Sequence, residues 1–454
     1  MRIGLSTLVI VRFIMLWIGM ETVASAQSLD VLRASIVDTT LSNGLRVVLL
    51  PRPQSSAVTI VVAYHVGSKD EPVHNTGFTH LFEHLMFQGS ANVPPGKFDY
   101  YCSLAGGDNN AYTTYDKTVY FMLLPAEQLR LGLWLEADRM RALEITPEKL
   151  QTQINVVLQE IKENVENRPF GKFGETSAKL AYRAGCPYSW DPYGDPEHIR
   201  NASMEEVLRF HDTFYGPNNA CLVITGNIDP STTLQEVERY FGDIQSKAEP
   251  EHPDFSPECR QVNQYTQIYD NIATDAVFLQ FHCPGFRDST LYAGELLAAI
   301  LADGLSSRLV KTLRYEQQLV SEVGAYIDDR ELSSLFTIYA IARDTTTTAQ
   351  QLVDAIWEQL EHLLQTGIEE RELVKAKNQL RTAMLSRFEN LHAIAEMLAH
   401  YALFFNDPTK CFELPSRIQE IQKADVERFA RTVLRKDQQI RIDFLPKTQA
   451  DAHQ

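Results

Sequence analysis

One order of elements occurs twice in this chain, and that repetition constrains the fold most. Apolar, β-branched runs at Leu45 to Leu50 and Val58 to Val66 are followed by helical periodicity, then by strands again. After residues 246–262, SKAEPEHPDFSPECRQV, the pattern restarts with a strand at Ala276 to His282, helices at Leu291 to Ala302 and Thr347 to Thr366, and a last strand at Gln439 to Leu445. A chain of 454 residues exceeds one compact core, so two domains of roughly 200 residues are expected. The prolines and charges of 246–262 mark the linker. The expected fold is therefore α+β: two similar domains, 27–245 and 263–454, each an antiparallel sheet packed against helices. The first two strands, separated by Pro51 and Pro53, read as an antiparallel pair.

Residues 1–26 differ from the rest. Arg2 is followed by an apolar stretch from Ile3 to Met20, interrupted by Arg12, and then by Ala24-Ser25-Ala26. This is the pattern of a signal peptide, and it is short for a membrane span. It implies export, to the periplasm if the source is a Gram-negative bacterium. No second long apolar run follows, so no membrane span is expected in the mature chain. The net charge of −17 disfavours non-specific nucleic-acid binding, which needs clustered cations. The six cysteines are scattered, without CxxC spacing, which leaves room for one or two bridges but not a disulfide scaffold.

The segment His80-Leu81-Phe82-Glu83-His84 carries the chemistry. On a helix, His80 and His84 share one face a turn apart, so both imidazoles can converge on one ion, and Glu83 can turn toward the same centre. Glu160, on the amphipathic run VVLQEIKEN, offers a third ligand. Two imidazoles and a carboxylate with one open position suit zinc, with Glu83 as general base. His65, His74, His198, His211 and His282 lack a partner at helical spacing and read as ordinary core or surface histidines.

HxxEH is the inverted zincin order. With LSNGLRVVLLP, FTHLFEHLMFQGS, GGDNNAYTTYDKTVYFMLLP, VVLQEIKENVENRPFG, FYGPNNACLVITGNID and LADGLSSRLVKTLRYE, the chain resembles the pitrilysin/insulysin-type zinc metallopeptidases over nearly all of residues 36–445. It is most similar to the half-length branch that includes the mitochondrial processing peptidase. The resemblance implies His80, His84 and Glu160 as ligands of one Zn²⁺ per chain, Glu83 as base, and a fold forming one half of a clamshell. It implies that Asn110, Ala111, Tyr112 and Thr113 belong to an edge strand on which an extended peptide docks. It places Phe87 either beside the scissile bond or in the core.

Two positions depart from the family pattern. Gln153 stands where many members have a second Glu seven residues before the distal ligand, so any role behind the ligands there is uncharged. In the second half, the Arg of the family's Arg/Tyr pair matches Arg314, but Ser321 stands where the Tyr belongs. The expected function is a zinc endopeptidase acting on peptides or unfolded segments inside a chamber completed by a partner. A metal-free paralogue bearing the Arg/Tyr pair is the first choice of partner, and a homodimer the second. The alternative is a non-catalytic peptide-binding or assembly subunit of the same fold, although such members typically lose the metal residues that this chain keeps.

Overall fold

The computed structural model describes residues 29–447, so the signal segment 1–26 lies outside the described residues. The first sheet contains β1 (Val37–Thr40), β2 (Arg46–Pro51), β3 (Ala57–Tyr64), β4 (Asp108–Thr113), β5 (Thr118–Pro125) and β6 (Ala220–Gly226), in the order β1-β2-β6-β3-β5-β4. The second contains β7 (Gln264–Asp270), β8 (Ala276–Pro284), β9 (Val320–Asp328), β10 (Ser333–Ala342) and β11 (Ile440–Pro446), in the order β7-β11-β8-β10-β9.

Both sheets follow one topology. In each, the last strand of the half inserts beside two early strands, β6 between β2 and β3 and β11 between β7 and β8, parallel to the first of the pair and antiparallel to the second, while β1 adds at the edge of the first sheet. The sheets are therefore mixed rather than purely antiparallel. The strands expected to pair directly, now β2 and β3, are separated by β6. The reason is visible in burial: every residue of β6 is buried, so this strand is most stable at the centre, with both faces covered.

The apolar residues of β2 and β3 alternate between two cores. Val47, Leu49, Ile60 and Val62 face the helices of the first half, whereas Val48, Leu50, Val61 and Ala63 face away. Helix α1 (Phe78–Leu85) and α2 (Pro147–Ile161) belong to the first of these cores. The opposite face is covered from the second half, by α4 (Leu391–Phe405), through Ile394, Leu398 and Ala402. The first half returns the contact. Its α3 (Phe173–Ala181), with Phe170, packs on Phe278, Ile442 and Phe444 of the second sheet, and Ser177 Oγ donates to Gln280 Oε1 at 2.8 Å.

Charged groups on the seam between the halves are buried and matched. Lys69 Nζ lies 3.2 Å from Asp70, 3.6 Å from Asp116 and 3.3 Å from Glu331. The guanidinium of Arg330 rests 3.7 Å from the ring centroid of Tyr115, with Tyr182 and Tyr188 also around it. Of the six cysteines, Cys186 and Cys259 form a disulfide joining the first half to the linker, and the other four are buried and free. No helix among the described residues is long and apolar enough to cross a membrane.

Candidate metal centre

Helix α1 begins at Gly77, whose φ of +87° is left-handed, and a Cβ there would meet Tyr193 O and Ile199 Cδ1 at 2.5 Å. The first amides of the helix are satisfied from a distance. Glu71 accepts from Gly77 N at 2.8 Å and Thr79 N at 2.7 Å, and from Trp190 Nε1 at 3.0 Å. Helix α2 starts with Pro147 behind Thr146, whose hydroxyl accepts from Lys149 N.

The two helices bring His80, His84 and Glu160 together. One ligand atom from each lies within 4.8 Å of the others, the single such group of three or more His, Cys, Asp or Glu among the described residues. His84 Nε2 is 3.1 Å from Glu160 Oε2, and His80 Nε2 is 3.6 Å from Glu160 Oε1. His80 is 7% exposed. Its burial, followed by the charge of His84, pushes the imidazole down to about 4 against the pull of Glu160. The hydrogen bond with His84, and then the charges of both imidazoles, hold the Glu160 carboxyl below its ordinary range despite partial burial. A neutral imidazole nitrogen and an ionised carboxylate are the forms that bind a cation, so this donor set fits zinc.

Glu83 stands beside the cluster. Burial raises its carboxyl, opposed chiefly by the hydrogen bond from Thr113, whose Oγ1 donates to Glu83 Oε2 at 2.7 Å. Oε1 remains available to take a proton. Thr113 is the last residue of β4, the edge strand of the first sheet. Asn110, Ala111 and Tyr112 lie on that same strand, which pairs with β5 alone. Asn110 Oδ1 accepts from Ala111 N at 2.9 Å. Phe87 sits edge-on to Phe98 at 5.4 Å, under the Arg139 guanidinium at 5.2 Å, and packs against the core. Gln153 is buried on α2, but it does not bond His80 Nδ1, which is buried without a partner.

Three contacts at the centre escape a reading of the sequence. Thr113 is one. The others are Tyr193 and Asn164, which bond Glu160 Oε1 from the phenol at 3.4 Å and from Nδ2 at 3.3 Å, and each other at 3.2 Å. Tyr193 also stands edge-on to the His80 ring at 5.0 Å. Asn164 reaches Glu160 from a π-helical turn, Lys162–Glu166, that extends α2. Four other histidines serve elsewhere. His65 meets Glu331, His198 Nδ1 is 2.8 Å from Thr76 Oγ1, His211 Nδ1 is 3.3 Å from Lys247 Nζ, and His282 Nε2 is 2.9 Å from Ala181 O.

Residues 46–174 match the insulinase family, peptidase family M16, and residues 201–380 match the peptidase M16 inactive domain. The chain is 27% identical to the zinc protease PqqE of Helicobacter pylori over 411 residues, 90% of this chain and 92% of that one. Its fold is similar to the crystal structure of a protease from Helicobacter pylori, with a TM-score of 0.84 and 25% identity over 90% of this chain and 99% of that one. It is also similar to the periplasmic protease PqqL of Escherichia coli, with a TM-score of 0.75 and 19% identity. That match covers 92% of this chain but 48% of PqqL.

Proposed function

Because this chain belongs to the insulinase family of zinc peptidases, peptidase family M16, we propose that it hydrolyses peptide bonds at His80, His84 and Glu160, with Glu83 as the general base. The observation carrying this reading is the convergence of those three ligands next to a carboxylate held by one oxygen only. When bound, one zinc ion would polarise the scissile carbonyl and make water a stronger acid.

The chain's own residues do the rest. Glu83 Oε1 takes the proton of the attacking water and passes it to the leaving amine, while Thr113 fixes Oε2. The substrate lies as an added strand along β4, at Asn110, Ala111 and Tyr112, which places its backbone on the strand that carries Thr113. Phe87 borders the site from the core. Residues 27–245 form the catalytic half and 263–454 the metal-free half.

A second subunit completes the chamber. The fold corresponds to about half of PqqL, and Ser321, in place of a tyrosine, directs its hydroxyl to Ile341 O at 3.3 Å and Ala342 O at 3.2 Å. Donors for the developing oxyanion must then come from elsewhere. A metal-free paralogue bearing Arg and Tyr meets that need better than a second copy of this chain. The segment 1–26 and the Cys186–Cys259 disulfide both favour an exported protein. The test is cleavage of an unstructured quenched peptide by the purified chain, alone and with the paralogue. Chelation should abolish cleavage, zinc should restore it, and the paralogue should raise it. Full turnover by the isolated monomer, with no gain from any partner, would overturn the two-subunit chamber.

A further inference from the structure

Lys69, Asp116, Glu331 and Arg330 show how this fold treats charge at the seam between its halves: each finds an opposite charge or a hydrogen bond. A cavity on the seam does not follow that pattern. It measures about 450 Å³ and lies behind the edge strand, on the side of the sheet faced by Tyr112. Lys117 enters from the β4–β5 turn, Asp329 from the turn after β9, Glu295 from the helix Leu291–Ala302, and Arg387 from the helix Glu370–Glu389. None of these four side chains makes an ion pair or hydrogen bond with a described residue.

The four groups sense one another at longer range. Burial lowers the Lys117 ammonium, opposed first by the charge of Glu396, which also lines the cavity, and then by that of Asp329. Burial, and then the charge of Asp329, push Glu295 up to about 7. Arg387 is among the cations acting on Asp329. Lys117 and Glu295 are half-buried, whereas Asp329 and Arg387 are exposed; a half-buried charge without a close partner is relieved when an opposite charge arrives. A simple anion would satisfy Lys117 and Arg387 but meet Glu295, Asp329 and Glu396, and a simple cation would have the converse problem. An occupant with both signs satisfies all four. The rest of the wall includes Phe286 and Met384, which offer apolar area between the charged groups. The volume falls within the usual range for small-ligand pockets, roughly 300–1,000 Å³.

We propose that this cavity binds a short peptide of two or three apolar residues with free termini, its carboxylate at Lys117 and Arg387 and its ammonium at Glu295 and Asp329. The choice of a peptide among zwitterions rests on the peptidase reading, since such fragments are what a peptidase releases. The site is separate from the metal cluster. Tyr112 borders the cavity, whereas Thr113, the next residue, turns to Glu83 on the other side of the strand.

Isothermal titration of the full chain with L-leucyl-L-phenylalanine tests the proposal, in zinc-loaded and chelator-treated forms. The expected result is saturable binding of equal affinity in both forms. Affinity should fall at least about tenfold when the peptide is N-acetylated or C-amidated, and by a similar factor in Arg387→Met and in Glu295→Gln. The capped peptides are titrated against the unaltered chain, so the result does not depend on how well the variants fold. No saturable binding at millimolar peptide would overturn the proposal, as would an affinity indifferent to capping. Binding that disappears with the zinc would place the peptide at the metal cluster and would overturn it as well. Binding is read without turnover, so failure here is distinguishable from failure to cleave.

Discussion

Thr113 Oγ1 donates a 2.7 Å hydrogen bond to Glu83 Oε2, joining the last residue of the edge strand to the helix that bears both histidines. One contact thereby couples the place where a peptide would add to the sheet with the group that would take the proton.

Replacing Thr113 with Val keeps the β-branched shape and removes the donor. A hydrogen bond to a charged group contributes about 1.5–3 kcal/mol, so the loss should lower kcat by roughly 10- to 100-fold with little change in KM. Thr113→Ser should recover most of the rate. Steady-state kinetics on the three proteins decide this; equal kcat for Val and Thr would remove Thr113 from the site.

Tyr193 touches two of the proposed ligands at once, the Glu160 carboxylate through its hydroxyl and the His80 ring through its edge. Groups that orient metal ligands typically contribute 10- to 100-fold in metal affinity. Tyr193→Phe keeps the ring contact and loses the hydrogen bond, so zinc affinity should weaken by about tenfold, toward the lower end of that range. Competition with a chromophoric chelator measures it. Unchanged affinity would leave Tyr193 with a packing role only.

The residues legible in the sequence are those whose relationship is local. HxxEH falls on one turn of helix, and the β4–β5 hairpin and the Pro147 helix start carry their signals within a few residues. Glu160 was legible through the family pattern. The contacts of Thr113 and Tyr193 were not, because each meets its partner only after distant elements pack; Asn164 reaches Glu160 through a π turn, and Glu71 reaches Gly77 and Thr79 across an irregular turn, neither of which a local signal announces. The pairing of β2 with β3 failed for a related reason. Both strands are apolar on both faces, which marks central strands but does not name their neighbours, and β6 arrives from far along the chain to part them.

The seam between the halves should be acid-sensitive. Burial alone would raise the Glu331 carboxyl, but the hydrogen bond with His65 and the charges of Lys69 and Arg287 outweigh it and hold it down to about 2. An unfolded glutamate titrates near 4.3. A depressed carboxylate contributes stability above its unfolded pKa and loses it as pH falls through the folded one, so the loss should run from about pH 4 to pH 2. Asp116 acts in the opposite sense. Burial, only partly offset by Lys69, raises it to about 6, so its contribution is lost as pH climbs from about 4 to 6. Urea unfolding at a series of pH values, on the native chain and on Glu331→Gln, checks this. The variant should be less stable at pH 7 by an amount of order 2 kcal/mol, and the gap should close toward pH 2. A gap independent of pH would show that Glu331 is not held ionised by its neighbours.

The most direct test of the account is Glu83→Gln, with zinc content and peptide cleavage measured on the same preparation. The ligands His80, His84 and Glu160 are untouched, so the variant should retain one zinc ion per chain. Removal of the general base should reduce kcat by about 10²- to 10⁴-fold. A variant that keeps its zinc and cleaves at the native rate would contradict the account, as would a native chain that cleaves fully with no metal bound.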